Sequence, residues 1–264
     1  IGPMSVDDGV ALFLARGPRG MAGGDRADVV AVVEAVDGLP LAIELAAARA
    51  PLLGVEQLAV SMHDRLQLLT RNRDASAPPR QQTLRAALEW SHGLLDERER
   101  AVFRRLAVMA DSAALAFIQP VAADDEGPLD AWAVLDALGT LVDRSLVAVL
   151  ADDDLGPHGG RDPRYRLLES PRLFAFEQLQ RCGEERALRH RHAAALAAAF
   201  DAAWEERFSG RIGAQAWAGC VLADSSNARD AIATAMSGSS SAWAQAIASR
   251  ALLESARTQP AQAC

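Results

Sequence analysis

The chain has 264 residues, half of them apolar, few aromatics (5 %) and a net charge of −8. No apolar run approaches the ~18 residues a membrane helix requires, and three scattered cysteines (Cys182, Cys220, Cys264) form neither a disulfide framework nor a metal knuckle. Much of the apolar content is alanine and β-branched runs are scarce, which predicts a mainly helical protein. Every basic residue is arginine. No signal peptide precedes the first helix, so a cytoplasmic location is expected. The chain begins with Ile rather than Met and reads as a piece of a longer protein.

Ser5-Val6-Asp7-Asp8 is an N-cap followed by first-turn acids, opening a short helix with Val10, Leu12, Phe13 and Leu14. Gly17–Gly24 is a loop. A second helix covers Arg26–Val36 and ends at Asp37-Gly38. The third starts at Pro40, whose preset φ and missing amide hydrogen suit a first turn, and sends Leu41, Ile43, Leu45 and Ala48 towards a core. A fourth, Val55–Leu69, repeats that pattern with Leu58, Met62, Leu66 and Leu69. Thr70–Gln82 is polar and proline-bearing, the signature of a linker.

Beyond it, Thr83–Leu95 carries Leu84, Leu88, Trp90 and Leu94/Leu95 at helical spacing. Asp96 and Glu99 form a capping box for a helix to about Met109 that buries Val102, Phe103, Leu106 and Val108. A shorter helix is predicted over Ala113–Ala123. Another spans Leu129–Val142, with Trp132, Leu135, Leu138 and Leu141 on one face. Leu146–Leu150 and Tyr165–Leu168 read as a hairpin around a Gly-, Asp- and Pro-rich turn. Helices followed by a hairpin give a winged-helix order. Further helices follow at Ser170–Cys182, Glu184–Glu206, Trp217–Ala223, Ser226–Met236 and Ser241–Ala256, like the start of a helical-hairpin array.

The stretches "GLPLAIELAAAR", "QQTLRAALEWSHGLLDERERAVFRRLAV", "LGTLVDRSLV" and "YRLLESPRLFAFEQL" together resemble bacterial signal-transduction ATPases of the STAND class, more closely the NB-ARC-like regulators of LuxR or SARP type. The resemblance implies a fragment that follows the P-loop core: a helical subdomain (1–72), a winged-helix domain with one short β-hairpin (80–180) and the start of a TPR-like helical region (184–264). It implies that Pro40 packs near the adenine of ATP or ADP, with Gly38 allowing close approach and Leu39 and Leu41 as apolar wall. Where relatives of this class carry Met-His-Asp after the second wing strand, this chain has Leu167-Leu168-Glu169, so that phosphate latch is absent or relocated.

The P-loop itself is missing: there is no G-x-x-x-x-G-K-[ST], and without lysine none can exist. The phosphates and magnesium therefore have no ligands here. The chain alone is expected neither to hydrolyse ATP nor to bind it tightly, and the parent's own P-loop domain is the expected partner. The helical array could also carry a protein partner or self-association. An alternative function is direct DNA binding by the winged helix. Its recognition helix, however, presents Asp130 and Asp136 and no base, and the wing tip adds Asp152, Asp153 and Asp154 against Arg161 and Arg164. Such a face repels phosphates. Arg181–Arg191 is expected to be a solvated face with i,i+4 pairs such as Glu185–Arg189. No metal site is expected: His190 and His192 fall on different sides of a helix, and the acidic turn lacks calcium-loop spacing.

Overall fold

A computed structural model describes residues 4–17, 26–62, 79–150, 163–209 and 224–237. Contacts divide the chain into two compact units. The first runs to Arg100 and includes Gly139–Leu146; the second holds Ala101–Leu138 and the residues from Val147 onwards.

In the first unit α1 (Val6–Arg16) packs on α2 (Arg26–Ala35) and α3 (Pro40–Ala47). Ser5 caps α1 as its sequence predicts, its Oγ accepting from the Asp8 amide at 3.1 Å. Gly9 is required at this crossing. A Cβ there would lie 2.6 Å from Val33 Cγ1 and 3.2 Å from Ile43 Cδ1. Val10, Phe13, Val32, Val33, Ile43 and Leu45 form the core, each such side chain contributing about 1.5–3 kcal/mol by leaving water. Leu14 is outside it, 49 % exposed, and Leu41 is half-buried. One-turn α4 (Ala50–Leu53) ends at Gly54 with φ 74°, and residues 55–62 form α5 with Leu58 and Met62 buried. Leu66 and Leu69 lie outside the described residues. Helix α6 (Pro79–Gly93) packs on α3. It takes in Pro79–Gln82, which the sequence reading gave to a linker. Proline is at home in a helix's first turn, so a composition suited to a loop is also a helix start.

Helix α7 (Glu97–Leu106) opens with the predicted capping box: the Glu99 amide donates to Asp96 Oδ1 (2.8 Å) and the Asp96 amide to Glu99 Oε2 (2.9 Å). Leu95 is buried in front of it while Leu94 is 39 % exposed.

The second unit contains β1 (Ala113–Ala114), α8 (Leu115–Ala122), most of α9 (Ala131–Asp143), β2 (Ala148–Leu150) and β3 (Arg164–Arg166). The strands form an antiparallel sheet in the order β1-β3-β2, with Val149 opposite Tyr165 and Ala113 on Tyr165's other side. Helix–strand–helix–helix–strand–strand is the winged-helix order. The predicted hairpin is therefore joined by a third strand, cut from the start of what the sequence presents as the single helix 113–123. Two alanines carry no strand signal, and only pairing with β3 makes them one.

On α9 the buried face is Val134, Ala137, Leu138 and Leu141, and Trp132 is 75 % exposed. Its grouping on one face with Leu138 and Leu141 is thus corrected: positions 134, 137, 138 and 141 follow the 3.6-residue repeat, and Trp132 lies off it. Helices α10 (Glu169–Arg181), α11 (Glu185–Ser209) and α12 (Ser225–Ser237) follow. Gly183 (φ 72°) closes α10, α11 packs on α8, and α12 packs on α11. Phe103 and Phe174 meet in the core at 6.3 Å between centroids. Trp217–Ala223, Ser241–Ala256 and the acidic turn 152–154 lie outside the described residues.

On α11 the two histidines face opposite ways, His190 exposed and His192 2 % exposed. The His192 ring stands edge-on to Phe117 at 5.5 Å and its Nε2 has no hydrogen-bond partner. Burial, with the Arg189 guanidinium adding, lowers its pKa to about 4 from 6.5. The native state therefore holds it neutral while the unfolded chain protonates it below pH 6.5, so stability is full above that pH and declines towards pH 4. Moving from pH 7.5 to 5 should cost about 2 kcal/mol through this group alone. Asp124 and Glu184 are held below their ordinary values of 3.8 and 4.5 and lose their contribution at lower pH. Urea unfolding of wild type and His192→Leu across that range measures the loss, and an equally steep profile in the variant would refute it.

Candidate functional site

The predicted site residues form a corner. Helix α2 ends in two consecutive left-handed residues, Asp37 (φ 53°) and Gly38 (φ 62°). The Gly38 amide donates to Val33 O (3.0 Å) and the Asp37 amide to Glu34 O (3.1 Å), closing the helix end. Gly38 is buried and its carbonyl accepts from the Met4 amide at 2.9 Å. Leu39 is the extended N-cap residue of α3, Pro40 its first residue, and Leu39, Pro40 and Leu41 are all half-buried. The corner thus brings the four together with partial apolar exposure on three of them.

Two polar ties hold this segment along α6. Thr83 Oγ1 donates to Asp37 Oδ2 at 2.6 Å. Arg49, in the turn after α3, donates from Nη2 to Ser91 Oγ (3.0 Å) and Ser91 O (3.2 Å). Residues 83 and 91 are about 12 Å apart along a helix, so the corner and the far end of α3 are both pinned to α6.

The C-terminal end of α6 is capped by arginines from three places in the sequence. A helix's last carbonyls lack partners inside the helix; here the Leu94 and Leu95 amides reach those of Ser91 and His92, and guanidiniums add to them. Arg49 takes Ser91 O, Arg100 takes His92 O (3.3 Å) and Gly93 O (3.0 Å), and Arg144 takes the following Leu94 O (3.1 Å). Arg144 also donates to Glu99 Oε2 at 2.9 Å. Cations at this end complement the helix dipole. Sequence reasoning named Pro40 and missed Thr83, Ser91, Arg49, Arg100 and Arg144. The available signal was a lone arginine in Ala46-Ala47-Ala48-Arg49-Ala50, a charge inside an otherwise buried run.

In the second unit, Leu167 is buried, Leu168 is the N-cap residue of α10, and Glu169 is that helix's first residue. Leu167 lines a small recess with Leu106, Met109 and Val147, with Arg166 and Asp111 paired at 3.7 Å beside it. Arg164, assigned from sequence to the wing tip, is instead buried in β3, where it donates to Ser112 Oγ (3.0 Å), Ser112 O (2.7 Å) and Asp224 Oδ1 (2.5 Å). The outward side of α9 in this unit carries Trp132 and Asp136. The Glu185–Arg189 pair forms as predicted (2.9 Å). The rest of that arginine cluster is only partly solvated: Arg189 also lies over Phe176 at 5.1 Å, and Arg191 donates to Ala123 O. Among the described residues no group of His, Cys, Asp or Glu is placed to hold a metal, and no helix is long and apolar enough to cross a membrane.

Fold and site together define a mainly helical protein with winged-helix element order, preceded by a proline-edged corner strapped to the helix that leads into it. No family model matches the chain. It is similar to a Mycobacterium tuberculosis protein provisionally named an HTH-type transcriptional regulator, 42 % identical over 187 residues, which is 69 % of this chain and 20 % of that one. A Mycobacterium bovis protein of the same description matches equally. An uncharacterized M. tuberculosis protein is 36 % identical over 196 residues, 72 % of this chain and 48 % of its own length. The chain therefore spans about one fifth of the first relatives and about half of the other.

Proposed function

We propose that this chain is the regulatory portion of a STAND-type, ATP-binding regulator of transcription and works as a nucleotide-controlled conformational switch. The observation that carries the reading is the double tie of the Pro40 segment to α6. Asp37–Thr83 and Arg49–Ser91 oblige α6 to follow any displacement of the corner, and α6 runs through a three-residue turn into α7. In this reading Gly38, Leu39, Pro40 and Leu41 edge the adenine pocket of the parent. Residues 1–72 are its helical subdomain, 80–180 its winged-helix domain, and 184–264 open its TPR-like region. The much greater length of the mycobacterial regulator leaves room for a P-loop core and a separate DNA-binding part. The chain itself is not an enzyme: ATP or ADP is held by the parent, with phosphates and magnesium on the missing domain.

The test is titration calorimetry with ATP and ADP on the 264-residue chain and on the full-length parent. The chain should show no binding below millimolar concentration. The parent should bind, and Pro40→Ala should weaken it about tenfold, the scale of ~1.4 kcal/mol of lost contact. Tight ATP binding by the chain, or a parent without a P-loop, would overturn the proposal. A second reading, direct action of the winged helix on DNA, draws on the relatives' HTH-type name. The acidic outward side of α9 opposes it, and a salt-dependent gel shift by this chain would restore it.

A further inference from the structure

Arg49 is 1 % exposed, the largest fully buried side chain among the described residues. Its Nη2 is engaged by Ser91, but Nε and Nη1 are buried with no acceptor at all. Guanidinium is the most demanding donor group a protein owns, with five N–H bonds in a rigid fork. Leaving part of it unpaired in the interior is costly. Nor does Arg49 have a counter-ion of its own. Glu99, the carboxylate that acts on it, is already bonded to Arg144, and the Arg144 charge opposes that of Arg49 more strongly than Glu99 supports it. Burial and that repulsion bring its pKa down to about 10. A desolvated cation with idle donors and no carboxylate of its own is a site lacking its anion.

The surroundings supply a way in. Arg49 is in the turn that leads into α4, a single turn of helix in which Pro51, Leu52 and Leu53 are exposed, Leu52 by 72 %. So short a helix has little stability of its own, and local opening there costs far less than global unfolding.

We propose that Arg49 is an oxyanion-binding site, the N–H groups on Nε and Nη1 that Ser91 leaves idle donating to the oxygens of a phosphate-type anion admitted by opening of α4. Arginine suits this chemistry because its delocalised, weakly hydrated charge is matched to phosphate geometry. Arg49 also supplies one of the two ties to α6 in the switch reading, but the site requires no nucleotide and is tested on a different ligand.

The probe is inorganic phosphate. Thermal unfolding of the 264-residue chain is followed in sodium phosphate and in sodium chloride at equal ionic strength, for wild type, Arg49→Met and Arg49→Lys. Phosphate also stabilises proteins generally by exclusion from their surface, so the quantity of interest is the excess over the methionine variant. Wild type should gain about 3 °C more than Arg49→Met, the scale expected for roughly tenfold saturation of a single site. Arg49→Lys, a cation without the fork, should keep less than half of that excess. Should Arg49→Met not fold, phosphorus NMR line-broadening of phosphate by wild type, reduced by more than half in Arg49→Lys, decides the question. An equal phosphate response in all variants, or none in wild type, would overturn the proposal.

Discussion

Replacing Glu184 by alanine is expected to destabilise the second unit by about 4 kcal/mol, the range for stripping a buried ion network of its shared partner. Glu184 Oε1 accepts from Arg104 Nη2 at 2.9 Å and Oε2 from Arg105 Nε at 3.1 Å. Both arginines are within a tenth of full burial, at 9 % and 8 % exposed. Arg105 Nη1 donates to Ala122 O and Asp124 Oδ1, each at 2.7 Å. One carboxylate thus fixes two guanidiniums that reach back from α7 to the turn between α10 and α11. Burial by itself would raise the Glu184 pKa, yet the bonds from Arg104 and Arg105 outweigh it and hold the carboxyl below its ordinary range. Alanine removes the carboxylate that the two guanidiniums share and leaves Arg105 with Asp124. Glutamine keeps an acceptor oxygen and should lose roughly half as much, because hydrogen bonds to charged groups are worth about 1.5–3 kcal/mol. Urea unfolding at pH 7 measures both variants. A loss under ~1 kcal/mol for Glu184→Ala would mean that water solvates this turn and that the network is a surface feature.

What could be read in the sequence, and what could not, divides by range of interaction. The Ser5 cap, the Asp96–Glu99 box, Pro40 at a first turn and the Glu185–Arg189 pair all span four residues or fewer, and each stands where its local chemistry puts it. Helix spans followed from apolar spacing, and the hairpin from two short β-prone runs. The failures were set at a distance. Ala113-Ala114 becomes a strand only because Tyr165 and Arg164 lie beside it. Arg164 reads as a wing cation until Ser112, 52 residues away, buries it. Trp132 reads with Leu135, Leu138 and Leu141 at a spacing of three, but the 3.6-residue repeat through the buried Val134 and Leu138 excludes it. The candidate site shows the same split. Its Gly–Leu–Pro–Leu corner is a local motif, whereas the ties that make the corner mechanical, to Thr83 and Ser91, bridge 46 and 42 residues.

Asn227→Ala is expected to cost about 3 kcal/mol, a large sum for one neutral side chain, and the reason is what Asn227 replaces. Its Oδ1 accepts from the Ala110 amide (2.9 Å) and the Asp111 amide (3.2 Å), and its Nδ2 donates to Ser112 O (3.1 Å). The carboxamide acts as a peptide group for the three residues that precede β1. At 0 % exposure it admits no water in exchange. Truncation strands two amides and leaves Ser112 O to Arg164 alone, and each unpaired buried group costs about 1–3 kcal/mol. Among the described residues, the buried apolar side chains of α12 are the small Ala228 and Ala231. Its hold on the sheet is therefore mostly polar, through Asn227 and the Asp224–Arg164 pair at 2.5 Å. Hydrogen exchange separates two consequences. If α12 is held chiefly by this clasp, Asn227→Ala should speed exchange in residues 225–237 about a hundredfold, at ~1.4 kcal/mol per decade, while α10 changes less. Asn227→Asp should fall between wild type and alanine, retaining the acceptor and losing the donor. Uniform acceleration across α10, α11 and α12 would instead show that the helices open as one block and that the clasp is no separate joint.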